Sequence, residues 1–258
     1  MFGFKRRRRK RIRQRPFPEA WLTILEKNLP AYKHLAPDDR HELLGHILIF
    51  LNEKKFEGCG GLEVTDEVRV TIAAQACLLL LRRNTDYYPK LRTILVYPGR
   101  YAEVVSHHIG AGIMSEGPEA RLGESWLRGP IVLSWDDVRH GAWDPDDGRN
   151  VTLHEFAHKL DEEDGDTDGA PALQRAAMYA PWARVLQAEY DGLRDDIENQ
   201  RKTFIDTYGA TNPAEFFAVT TEAFFEQPKQ LLRKHPELYE QLSRYYAQDP
   251  ANWKPNPR

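Results

Sequence analysis

His154-Glu155-Phe156-Ala157-His158 is the stretch that decides how this chain is read. Residues four apart share one face of an α-helix, so the two imidazoles can bind one metal ion while Glu155 stands beside it. Two neutral imidazoles and a carboxylate from elsewhere leave zinc an open position for water. A glutamate next to that water can serve as general base. A surface helix with two aligned histidines would spell the same five letters, so the flanks have to decide. Leu153, Phe156, Ala157 and Leu160 fall at spacings of 0, 3, 4 and 7, which is one apolar stripe committed to a core. Asn150 or Thr152 can cap the helix after the turn-forming Asp144-Pro145-Asp146-Asp147-Gly148. Gly165 and the acidic run over 161–168 mark its end.

The third ligand has to come from another segment. An extended HExxHxxGxxH site needs Gly at position 161 and His at 164, where this chain has Asp161 and Asp164, so that class is excluded. In Asn212-Pro213-Ala214-Glu215-Phe216-Phe217-Ala218-Val219, Asn212 can cap a helix, Pro213 suits its first position and Glu215 falls in its first turn. A carboxylate there is also the ordinary complement to a helix dipole. Glu222, seven residues on and on nearly the same face, is an equal rival by spacing.

The chain has 258 residues, enough to bury a sizeable core as one domain. Cys59 and Cys77 match no CxxC spacing, and free buried thiols fit a reducing compartment. The longest apolar run, Ala73–Leu81, is too short to span a membrane. Gln14-Arg15-Pro16 follows the first cations where a secretory signal needs an apolar stretch. Net charge is −3, yet residues 5–15 carry nine Lys or Arg and no acid, which leaves −12 on the remainder. Residues 1–15 are therefore expected as a disordered, solvated basic tail. Such a tail gives no specific nucleic-acid binding and no stable membrane association, with only weak surface contact available through Phe2 and Phe4.

Helices are expected around Trp21–Leu29, around Leu43–Leu51 with Asp39 and Glu42 as a capping box, and from Val68 to about Arg82 behind Thr65. The last of these is apolar nearly all round and belongs at the centre of the core. Strands are expected at 94–97 and 131–135, and the second is the candidate edge strand for holding substrate by main-chain pairing. Further helices fall at about 182–198, 213–226 and 236–247, with coil over 249–258. The fold class is α+β: a zincin-like domain over 16–248, mostly helical, with a small mixed sheet beside the HExxH helix. Asp164-Gly165-Asp166-Thr167-Asp168-Gly169 opens like an EF-hand loop, but Arg175 stands where the twelfth-position Glu should be. Asp161, one turn past His158, is placed to receive an imidazole N–H directly or through water. His107 and His108 are a weak binding guess, and His140 reads as an ordinary residue.

The segments Phe56-Glu57-Gly58-Cys59-Gly60-Gly61-Leu62-Glu63-Val64-Thr65-Asp66, 154–161, 164–169 and 212–219 resemble the Mlc titration factor A family, over about residues 17 to 245. The basic run lies outside that pattern. The resemblance implies a bacterial cytoplasmic zinc metallopeptidase with aminopeptidase activity, one Zn2+ per chain and a peptide or protein substrate. It places His154, His158 and Glu215 as zinc ligands, Glu155 as catalytic base and Tyr208 as an active-site tyrosine. It also implies a Mlc-like transcriptional repressor as a partner, so the alternative is a non-catalytic regulatory protein that titrates a transcription factor. In the expected reaction Glu155 takes a proton from the zinc-bound water and passes it to the leaving amine. Tyr208 donates to the oxygen on which charge develops.

Overall fold

The computed structural model describes residues 2–99, 129–143 and 147–253. The first half holds α1 (Phe2–Arg13), α2 (Glu19–Asn28), α3 (Pro37–Glu53), β1 (Lys55–Gly58), α4 (Asp66–Leu78) and β2 (Thr93–Tyr97). β3 (Ile131–Ser134), α5 (Trp135–Trp143) and α6 (Val151–Asp161) follow. The chain then runs through α7 (Tyr179–Glu198), α8 (Pro213–Glu226), α9 (Pro228–Lys234) and α10 (Pro236–Tyr246).

Thr65 caps α4 as its sequence requires, its Oγ1 accepting the Val68 N–H. Ten of the thirteen α4 residues are buried, and Leu79, Leu80 and Leu81 continue the buried run beyond its end. A helix with no polar face can be satisfied only from all sides, and α4 touches α2, α3, α5 and α6. The sheet order is β1-β2-β3, parallel throughout its described strands, with Phe56 opposite Ile94 and Ile94 opposite Ile131. Ile94, Val96, Ile131 and Leu133 point into the core while their neighbours alternate outward, the period-two pattern of a strand. β3 is an edge of the sheet among the described residues and touches α6. Trp135 belongs to α5, so the strand expected over 131–135 is one residue shorter.

Four expectations are corrected. The sheet expected to be mixed is parallel where it is described. The capping box at Asp39 and Glu42 is absent: α3 begins at Pro37, and Asp39 instead accepts two hydrogen bonds from the Arg82 guanidinium at 2.8 and 2.7 Å. Proline at the first helical position was the start signal, because its missing N–H costs nothing there. The coil expected from 249 is held as far as Trp253: Ala251 is buried and donates its N–H to the Tyr239 hydroxyl, and Trp253 packs on Phe225.

The fourth correction is the largest. The basic run is no disordered tail but a helix packed on α3, with Ile12 only 2% exposed. The acidic body neutralises one side of it. Arg9 bonds both oxygens of Glu53, at 2.8 and 2.7 Å, and lies over the Tyr87 ring, while Lys5 reaches Asp86. Arg13 crosses α3 at Gly45, where an added Cβ would stand 2.6 Å from Arg13 Cγ.

Candidate metal centre

The HExxH segment is helical, and Asn150 starts it. Its Oδ1 accepts the Leu153 N–H at 3.0 Å, while its Nδ2 donates to Gly141 O and to Glu226 Oε1. A Cβ at Gly141 would stand 2.9 Å from Asn150 Cγ, so only glycine lets α5 approach this close. Leu153, Phe156, Ala157 and Leu160 are buried, leaving His154, Glu155 and His158 half-buried on the remaining face. Asn212 caps α8 by accepting the Glu215 N–H at 2.9 Å, with Pro213 first in the helix. Phe216, Phe217 and Phe224 bind α8 into the core, and truncating any one of them to alanine would cost about 3–5 kcal/mol. Two rigid helices therefore face each other across the site, α6 against α8.

Three ligand-type side chains converge between them. One ligand atom from each of His154, His158 and Glu215 lies within 4.8 Å of the others. His154 Nε2 is 3.0 Å from Glu215 Oε2, His158 Nε2 is 3.4 Å from that oxygen, and the two Nε2 atoms are 3.2 Å apart. Glu222 stands apart from this cluster. Its Oε1 lies 2.8 Å from His154 Nδ1, on the opposite edge of the ring, and its Oε2 accepts the Asn150 N–H.

The electrostatics describe a site that holds positive charge. Burial alone would lower the His154 pKa, but hydrogen bonds to Glu215 and Glu222 outweigh it and raise the value to about 10. Burial likewise works to raise Glu215, and its bonds to His154 and His158 prevail and hold it at about 2. Both shifts favour a cation between His154 and Glu215, the place a metal ion would take. Two imidazole nitrogens and one carboxylate oxygen suit zinc, so the residues present fit the metal.

Glu155 is half-buried next to His154 and makes no hydrogen bond among the described residues. Tyr208 lies in a short 3-10 turn, Thr207–Ala210, whose entry is fixed by the Asp206 carboxylate accepting the Tyr208 N–H. The residue is 55% exposed, and its ring centroid is 6.0 Å from that of His154. The expected groups are therefore brought together.

Asp161 meets the backbone rather than a histidine ring directly. It is fully buried, and its Oδ2 accepts the Gly169 N–H at 2.9 Å, while Oδ1 and His158 Nδ1 have no partner among the described residues. No direct imidazole bond to Asp161 is present. Burial raises its pKa to about 7. Its bond to Gly169 folds the acidic loop back so that Gly169, at φ +78°, lies against the Pro213 carbonyl at the start of α8. Gly169 O also accepts the Trp182 indole N–H. The loop that looked like an EF-hand opening is a strut between the end of the histidine helix and the start of the Glu215 helix.

The model of the glucose-regulated metallo-peptidase M90 family matches residues 4–247 of this chain. The chain belongs to that family. A protein of Synechocystis sp., itself called uncharacterised, is 44% identical over 247 residues, covering 94% of this chain and 89% of its own. The Mlc titration factor A of Serratia proteamaculans is 33% identical over 239 residues, 90% of each chain. That of Klebsiella pneumoniae is 31% identical over 224 residues, 86% of this chain and 84% of its own. Family membership carries a metal and peptidase chemistry, and the match takes in α1. His107, His108 and 144–146 lie outside the described residues.

Sequence reasoning missed three participants. Spacing offers Glu222 only as a ligand and Asn150 only as a cap, and it does not single out Glu226. A signal existed: Glu215, Glu222 and Glu226 fall at 0, 7 and 11, one acidic stripe along an otherwise apolar helix.

Proposed function

We propose that this chain is a cytoplasmic zinc aminopeptidase, in which His154, His158 and Glu215 hold one Zn2+, Glu155 is the general base and Tyr208 the oxyanion donor. The observation that carries this reading is the meeting of the three ligand atoms within 4.8 Å of one another, on two helices whose starts are both capped by asparagine. When bound there, zinc supplies Lewis acidity that makes water nucleophilic near neutral pH.

The remaining work belongs to the side chains. Glu155 lies beside His154 with a carboxylate that no described residue engages, and it receives the proton of the attacking water and returns it to the departing amine. Tyr208 offers a neutral hydroxyl from the exposed side, where negative charge grows on the substrate oxygen. Glu222 holds His154 Nδ1–H and so keeps Nε2 turned toward the ligand cluster. β3 is the strand on which an extended peptide would pair by main-chain hydrogen bonds. Free Cys59 and Cys77 support a reducing compartment. No described helix is long and apolar enough to cross a membrane.

A second reading comes from the relatives' name: the fold serves to bind and titrate a Mlc-like repressor, with or without turnover. The experiment that tests the aminopeptidase reading compares zinc-loaded protein on a peptide with a free N-terminus and on its N-acetylated counterpart. Release of the first residue from the free peptide alone is expected. Equal cleavage of both, or of neither, would set the aminopeptidase reading aside.

A further inference from the structure

The nine cations of residues 5–15 are not equivalent once the run is a helix. Lys5, Arg8, Arg9, Ile12 and Arg13 form one stripe at spacings of 0, 3, 4, 7 and 8, and all of them face the body. Lys5 pairs with Asp86, Arg8 with Asn52, Arg9 with Glu53 and Asp86, and Arg13 with His46 and Tyr87. The opposite stripe is different. Arg6, Arg7, Lys10 and Arg11 are exposed and make no hydrogen bond or ion pair among the described residues. Phe4 stands on the same outward side, 84% exposed.

Four charges on one face of a docked helix, without an ion pair among the described residues, repel one another. Among the described residues the body contributes the opposite sign only on the inner side. The aromatic ring among them is likewise left unburied by the described residues. Cations around an exposed aromatic match an interface that is anionic at its surface and apolar just beneath. A nucleic-acid duplex would satisfy the charges but give Phe4 no apolar layer.

We propose that the outward face of α1, made by Phe4, Arg6, Arg7, Lys10 and Arg11, is a reversible docking surface for anionic lipid bilayers. The four cations meet phosphate headgroups and Phe4 enters the acyl boundary. Because the inward stripe is already fixed to α3 and the Asp86 loop, the face is presented without a folding cost at the moment of binding. The surface is independent of the metal centre, so its success or failure leaves the peptidase reading untouched.

The test is co-sedimentation of the full chain with phosphatidylcholine vesicles, with and without phosphatidylglycerol, at low and high salt. Binding is expected only with phosphatidylglycerol and is expected to weaken as salt rises. The combined Arg6→Gln, Arg7→Gln, Lys10→Gln and Arg11→Gln variant should lose about two orders of magnitude in affinity, and Phe4→Ala about tenfold, with unchanged thermal stability. Equal binding to both vesicle types, no binding to either, or full binding by the four-residue variant would overturn the proposal. So would a DNA duplex that binds at least as tightly as the vesicles and is indifferent to Phe4→Ala.

Discussion

Glu222 Oε1 lies 2.8 Å from His154 Nδ1, on the side of the ring away from Glu215. The two glutamates that spacing left as rivals for one task therefore have different ones. Glu215 faces the nitrogens that can bind metal, and Glu222 fixes the ring that carries one of them. Glu222→Gln is expected to keep zinc but to weaken its affinity by about 10- to 100-fold, whereas Glu215→Ala loses it. Competition with a chromophoric chelator measures both. Loss on changing Glu222, with retention on changing Glu215, would reverse the roles.

Glu155→Gln keeps the size of the side chain and removes its ability to take a proton. Zinc content should be unchanged while hydrolysis falls by about two to four orders of magnitude. Equal turnover by the variant would remove Glu155 from the mechanism.

Tyr208→Phe deletes one hydroxyl from an exposed ring, so folding and metal should hold. A kcat lower by about two orders of magnitude at similar KM is the expected result. If kcat is normal and only Tm moves, the tyrosine packs and does not donate.

Glu226 gives a pH dependence with a definite sign. Burial raises its pKa from 4.5 to about 8, despite the hydrogen bond from Asn150. Between those values the folded state holds a proton that the unfolded state has lost, so this group's stabilising contribution is full below about 4.5. It is lost as pH rises towards 8. Glu226→Gln retains the acceptor for Asn150 and cannot ionise. The Tm advantage of the variant should therefore grow across that window, and a difference independent of pH would show that Glu226 titrates as an ordinary carboxylate.

Gly169→Ala tests the strut. Alanine at φ +78° is strained by about 1–2 kcal/mol, and its Cβ would collide with the Pro213 carbonyl, so both Tm and zinc affinity should drop together. A variant with lowered Tm and full zinc affinity would show that the loop does not position Glu215.

Much of the site was legible because its signals are local. The HExxH spacing, the Asn150 and Asn212 caps, Pro213 and the apolar stripe through Leu153 and Phe156 each follow from neighbours in sequence. What was not legible depends on distant partners. Whether Glu215 or Glu222 meets the Nε2 atoms is set by how α8 lies across α6, and Asp161 turned to Gly169 because a buried loop N–H needed an acceptor. The basic run misled for the same reason. Its composition is that of a solvated chain, and only Glu53 and Asp86, far away in sequence, convert one stripe of it into a packed helix face. β1 was missed because Lys55-Phe56-Glu57-Gly58 has little strand character, and its parallel pairing to β2 supplies what propensity lacks.

Zinc content and peptide hydrolysis measured on the same purified preparations of the native chain and of His158→Ala test the central claim most directly. In the proposed site His158 is one of three ligands, and two ligands cannot hold zinc against ordinary chelators. The account predicts one zinc per native chain, with hydrolysis, and the loss of both in the variant while the helical signal is kept. A His158→Ala protein that retains stoichiometric zinc, or a native chain that hydrolyses peptides equally well after its metal is stripped, would contradict it.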